Sequence, residues 1–342
     1  MHPISILQIE VDKMTKAIRI ALILLLASLC AFWVLGQQST QSAGAAAGAR
    51  SGQDPAQGRG AGGQDAAARG QRGGRGARGG VQRKRVLAWA DTRNGVAQHE
   101  SVAHFMAVIE RLGYESGLWD TLIRTDSNII SKTAKKTDGT PASGGPSLSN
   151  IDAIFFQGHR EVPLDAAQKE ELLQFVREGH GLVAAHVGLT AFESWPEWVN
   201  LLGGRFQGHP ISGAGTVINE DPNFPATKHF APSFPFSDEF YLPKDYDRTK
   251  IHVLLRLDVK PDDTRVPGGD YPLAWAQLYG KGRVFFGSFG HTNETWDIRD
   301  VQQMYFEAMR WALGMTDAVL EPHPMRGAVP AAQPAAQPAP KK

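Results

Sequence analysis

Three short, nearly unbroken apolar runs constrain this chain most: RVLAWAD from Arg85, NIDAIFFQG from Asn150 and GLVAAH from Gly181, with YESGLWD from Tyr114 reading as a further strand. A strand with one wet face alternates apolar and polar residues. Strands without that alternation are covered on both faces, as in parallel sheets. Helical stretches lie between the runs. From His99 to Leu112, residues Val102, Phe105, Met106, Ile109 and Leu112 fall on one helical face, and Gly113 is the expected stop. PLDAAQKEELLQFVREG reads as a second helix that starts after Pro163 and stops at Gly179. Strands alternating with helices predict an α/β, doubly wound, mostly parallel sheet.

The pattern changes after Gly203. GAGTVIN, IHVLLRLDV, YPLAWAQLYG and GRVFFGSFG are strand-like with no long helix between them, so the C-terminal half should carry extra strands. Asp221 to Lys250, rich in Pro, Phe and Asp, reads as long ordered surface loops, and Val301 to Leu313 as a closing amphipathic helix. The expected folded domain is 84–315 of the 342 residues.

Both ends fall outside that domain. Lys16 and Arg19 precede an apolar run that ends at Val34 and Gly36, the pattern of a signal peptide over 1–36 with Gln37 as first mature residue. The expectation is export to a periplasmic or extracellular compartment; left uncleaved, the segment is a membrane anchor and the chain's one contact with lipid. Residues 37–83 form a Gly/Ala/Arg-rich linker. From Ser42 to Gly80 it holds no Val, Ile, Leu, Met or aromatic residue, which predicts disorder. Residues 316–342 read as a mobile Pro/Ala tail. The net charge of +1 gives no nucleic-acid footprint. Cys30, the one cysteine, lies in the signal, so the mature domain has neither disulfide nor thiolate nucleophile.

Open α/β sheets bind ligands outside the carboxyl ends of their strands, and there the chain places its unusual residues. The first strand runs into Asp91 and Arg93, and the third into Gln157 and His159. The fourth ends at His186, and a later one runs into His291 and Trp296. Arg205 and His209 (GGRFQGHP) and Asp238 and Glu239 (SDEFY) lie between. His186, His291, Glu239 and His209 are the catalytic candidates. Arg93, Gln157, His159, Arg205, Asp238 and Trp296 are substrate-binding candidates, and Trp195, Trp198 and Trp296 could stack on a sugar. His186, His209 and His291 could together hold a divalent metal such as zinc, with Glu239 completing the set. Metal-free acid–base chemistry by the same residues is the alternative.

GLVAAHVG, LLGGRFQGHP, DEFY, PLAWAQLYGKGRVFFGSFGHT and MRWALG, in that order, resemble the trehalose-utilisation (ThuA-like) family, whose scaffold is flavodoxin-like and akin to class I glutamine amidotransferases. Those amidotransferases carry a cysteine at the turn occupied here by His186, so thioester chemistry is excluded. The family comparison also expects a histidine nearer the first strand than His99, which follows Asp91 by eight positions. The resemblance implies an enzyme acting on a small carbohydrate, a keto-glycoside or related sugar. A non-catalytic carbohydrate-binding module is the competing reading. Convergent histidines would favour the enzyme, and a flat aromatic strip the module. Oligomeric state is not legible.

Overall fold

The structure, a computed structural model, describes residues 82–323. The segment read as a signal peptide, nearly all of the expected linker and the end of the Pro/Ala tail lie outside the described residues. In chain order the elements are β1 (Lys84–Trp89), α1 (Ser101–Ser116), β2 (Trp119–Arg124), β3 (Ala153–Phe156), α2 (Ala166–Arg177) and β4 (Gly181–Ala185). There follow α3 (Pro196–Leu202), β5 (Arg205–Asn219), β6 (Ser233–Lys244), β7 (His252–Leu257), β8 (Pro272–Tyr279), β9 (Gly282–Gly287), α4 (Asn293–Asp297) and α5 (Arg299–Ala312).

The strands form one 9-stranded sheet in the order β2-β1-β3-β4-β9-β8-β7-β5-β6. From β2 to β9 every pairing is parallel; from β9 to β6 every pairing is antiparallel. Successive side chains of each parallel strand enter opposite layers. Val86, Ala88, Phe155, Val183 and Phe285 join the core beneath α1 and α5. Leu87, Trp89, Phe156, Leu182, Val284 and Phe286 join the core with Leu172, Phe175 and Trp198, beneath α2 and α3. Both layers are dry, which is why the sequence shows apolar runs rather than alternation.

Three boundaries differ from the sequence reading. YES of the YESGLWD stretch is the last turn of α1, and the helix ends at Gly117 in the left-handed conformation, not at Gly113. Gly113 serves packing: a Cβ there would sit 2.3 Å from Trp119 Nε1. Gly113→Ala, which in a free helix gains about 1 kcal/mol, should here destabilise by about 1–3 kcal/mol through overpacking. Urea denaturation checks the sign.

Secondly, the loops expected over Asp221–Lys250 contain β6, twelve residues long and antiparallel to β5. Pro235 and Pro243 argued against a strand. β6 is the sheet's edge, where a missing N–H can face outward without loss. Thirdly, ordered structure passes residue 315. Asp317 pairs with Arg283 at 2.7 Å, and His323 Nδ1 donates to Val253 O at 2.7 Å.

Of β5, only Val217, Ile218 and Asn219 pair with β7. The rest of β5, paired with β6, is a two-stranded ribbon. Among the described residues no helix is long and apolar enough to cross a membrane.

Candidate functional site

The carboxyl ends of β1, β3, β4 and β9, four neighbouring parallel strands, define one edge. β4 ends at Ala185, and His186 opens a tight 3-10 turn with φ of 39°. That left-handed conformation is costly for a residue with a Cβ and persists where the surroundings fix it. Here the fixing group is Ser288 O beyond β9, which accepts from His186 Nδ1–H at 2.8 Å. With Nδ1 committed to Ser288 O, His186 turns its Nε2 toward the site.

That Nε2 lies 3.2 Å from His291 Nδ1 and 3.6 Å from the Glu239 carboxylate. His291 Nδ1 lies 3.0 Å from the same carboxylate. Glu239 arrives on the ribbon. Its partner two residues on, Tyr241, shares that face and lays its ring over His186 at 4.1 Å between centroids. Tyr241 N–H donates to Ser288 Oγ at 3.1 Å, tying the ribbon to the end of β9.

His99 completes the group from the segment before α1. Its ring is edge-on to His186 and His291, at 5.2 and 5.1 Å between centroids. One ligand atom each from His99, His186, Glu239 and His291 fall within 4.8 Å of one another. Four ligands at about 2.1 Å from a tetrahedral zinc lie about 3.4 Å apart. The separations of 3.0, 3.2 and 3.6 Å among His186, His291 and Glu239 bracket that value.

The electrostatics agree. Glu239 is held down to about 2, first by its contact with His186 and then by the charges of His291 and His209. His99 is pushed down to about 4, chiefly by burial, with His186, His291 and His159 adding. The set therefore offers a carboxylate and an unprotonated His99 imidazole at neutral pH, the forms a metal requires. Burial, then the adjacent Glu239, raises the Tyr241 phenol, which stays protonated. Its oxygen is 3.3 Å from His99 Nε2.

The remaining candidates separate. His159 belongs to the site: its Nδ1 donates to Ala97 O at 2.9 Å and its ring is edge-on to His99. His209 falls outside the four-donor set. A register shift between Gly208 and Ile211 places it on the ribbon rim, 52% exposed, with Nδ1 3.4 Å from Glu239 Oε1. Arg93 pairs with Asp126 at 3.2 Å, and Arg205 pairs with Asp245 and donates to Glu193 O.

Gln157, Asp238 and Trp296, expected to bind substrate, are buried. They hold the peptide before His291 instead. Gly290 N–H donates to Asp238 at 2.9 Å; Gly290 O accepts from Trp296 Nε1 at 3.1 Å and from Ser101 Oγ at 2.9 Å. Gln157 donates to that Ser101 oxygen at 3.0 Å. Trp195 and Trp198 are buried too, so none of the three tryptophans offers a sugar platform. His99, Tyr241 and Ser101 were missed as functional positions. For His99 a signal existed, the histidine expected near the first strand.

A family profile described as trehalose utilisation (ThuA) matches residues 85–312. A protein described as ThuA-like from Bacteroides uniformis superposes with a TM-score of 0.53 at 20% identity, covering 67% of this chain and 91% of that one. A second, from Parabacteroides merdae, gives 0.51 at 15% identity, with 69% and 92% covered. No curated protein sequence matches the chain. At these identities the structures speak for the fold alone, a glutamine amidotransferase-like α/β sheet. The match over residues 85–312 settles the lineage: the chain belongs to the ThuA, or trehalose-utilisation, family.

Proposed function

We propose that this chain is an exported enzyme of carbohydrate metabolism that acts on a keto-glycoside or related sugar at a metal-assisted site. His99, His186, His291 and Glu239 would hold a divalent ion of the zinc class. The observation that carries the reading is the convergence of these four side chains within 4.8 Å. Family membership supports a sugar substrate. The basic residues and apolar run before Gly36 support export. A binding module is disfavoured, because the candidate stacking tryptophans are buried.

Bound there, the ion would polarise a sugar oxygen or the carbonyl of an oxidised sugar. His159 has its Nδ1 proton engaged by Ala97 O, so its Nε2 can accept a proton from a substrate hydroxyl or from the carbon beside a carbonyl. Tyr241, kept protonated, can donate to a developing oxyanion.

The test is metal analysis of the purified mature protein, followed by turnover of native and 3-keto disaccharides. One equivalent of metal is expected. Glu239→Gln should weaken its affinity at least ~10-fold and abolish turnover of the keto substrate. A protein that binds no zinc, manganese or cobalt, with Glu239→Gln as active as the parent, would end the metal reading.

A further inference from the structure

Among the described residues, four that are not glycine carry a positive φ: Arg160, His186, Phe192 and Asp245. That conformation is unfavourable for a residue with a Cβ and collects at functional sites. His186 belongs to the donor set, and the other three hold one rim of the same site. Arg160, at φ 59°, directly follows His159. Its N–H donates to Thr190 Oγ1 at 3.3 Å, and its carbonyl accepts from Phe192 N–H at 3.2 Å. Phe192, at φ 54°, leads into Glu193, whose carboxylate meets Arg160 Nη1 at 3.3 Å. Asp245 pairs with Arg205, and Arg205 Nη1 donates to Glu193 O at 3.2 Å. The strained backbone thus presents one ion pair, Arg160 with Glu193. An exposed pair adds little to stability, so the strain serves something other than folding.

That pair stands beside an aromatic shelf. The Arg160 guanidinium carbon lies 5.9 Å from the ring centroid of Phe206. Phe206 is half-buried, leans on Tyr241 at 4.6 Å and runs nearly parallel to His209 at 6.0 Å. Tyr241 in turn covers His186, and His209 approaches Glu239. Shelf and pair therefore border the donor set directly, through Tyr241 and His209 on one side and through His159 on the other.

We propose that Phe206, Arg160 and Glu193 bind the sugar beside the donor set and select a neutral sugar over an anionic one; the assignment rests on the function proposed above. A pyranose has an apolar C–H face, which suits the Phe206 ring, and an edge of hydroxyls. Arg160 can only donate hydrogen bonds, and an ionised Glu193 can only accept them. A hydroxyl does both, so neighbouring hydroxyls satisfy the pair without altering its charge. The single contact at 3.3 Å leaves most of the guanidinium's donors free for this role. A phosphate or carboxylate would suit Arg160 alone and would face the Glu193 charge. Arg205, the neighbouring cation, is likewise matched, by Asp245.

The test titrates trehalose and methyl glucoside calorimetrically into the full-length protein, zinc-loaded and metal-free. Saturable binding of at least one is expected. Arg160→Met and Phe206→Leu should each weaken it about tenfold, the scale of one charge-assisted hydrogen bond, with zinc stoichiometry and melting temperature unchanged. Arg160→Lys keeps the charge but loses the planar fork, and should not restore binding. Trehalose 6-phosphate is compared on the metal-free protein, where no ion recruits its phosphate. It should bind more weakly than trehalose, and Glu193→Gln should reverse that order. Undiminished sugar binding in folded Arg160→Met and Phe206→Leu overturns the proposal. So does a failure of both neutral sugars to bind, or a preference of the parent protein for the phosphate. If any of these occurs while zinc binds normally, the sugar shelf falls and the proposed function stands. If zinc does not bind, the proposed function falls; neutral-sugar binding that Arg160→Met weakens then supports the shelf independently.

Discussion

His186→Ala is expected to abolish metal binding and turnover and, in addition, to destabilise the metal-free domain by about 2–4 kcal/mol. The imidazole is fully buried, so truncation leaves a void. It also strips Ser288 O of the 2.8 Å hydrogen bond from Nδ1, orphaning an acceptor where water does not reach. Alanine gains nothing from the left-handed backbone at φ 39°. His291→Ala is the control. Its side chain is 37% exposed, so the metal should be lost with less than about 1 kcal/mol of stability. Urea unfolding of both metal-free variants, with metal content measured in parallel, separates the roles. Equal stabilities would show that the Ser288 contact does not anchor the turn; full metal occupancy in both would remove the centre itself.

That asymmetry shows which parts of the molecule local sequence encodes. The parallel half was legible because burial on both faces removes polar alternation, and that mark is local. His186, His291 and Glu239 were legible because they follow buried strands or sit among aromatic residues. β6 was not, since Pro235 and Pro243 are acceptable only on an edge, and edge position is set by the order in which distant strands assemble. His99 was obscured by its distance from Asp91: a loop of that length can return a side chain to the strand ends or carry it away, and tertiary packing decides. Asp238, Gln157 and Trp296 have the right chemistry for sugar binding, but the chemistry of a side chain does not report its depth. All three proved to be buried supports of one peptide. His209 shows the opposite case, an exposed imidazole displaced from the donor set by an irregularity in strand register.

Trp296 provides the sharpest test of that reassignment. Its indole stacks on Tyr305 at 4.8 Å and approaches Phe105 and Phe155 at 5.8 and 5.9 Å between ring centroids, fully buried. Trp296→Ala should therefore cost about 3–5 kcal/mol. That is a large share of the roughly 5–15 kcal/mol that holds a domain folded. A sugar-stacking residue at the surface would instead weaken ligand binding and leave stability nearly unchanged. Trp296→Phe keeps a ring in the stack but removes the donor to Gly290 O. Ser101 still donates to that oxygen, so the stability loss should be only about 0.5–1.5 kcal/mol. The metal should respond more strongly. Gly290 holds a φ of 130° that fixes where His291 leaves the backbone, and releasing one of its restraints loosens a donor. Loss of comparable outer-shell contacts lowers metal affinity about 10–100-fold, and about tenfold is expected here, read by competition with a chelator. Native metal affinity in Trp296→Phe would show that the indole serves the core alone and that Asp238 and Ser101 suffice to aim His291.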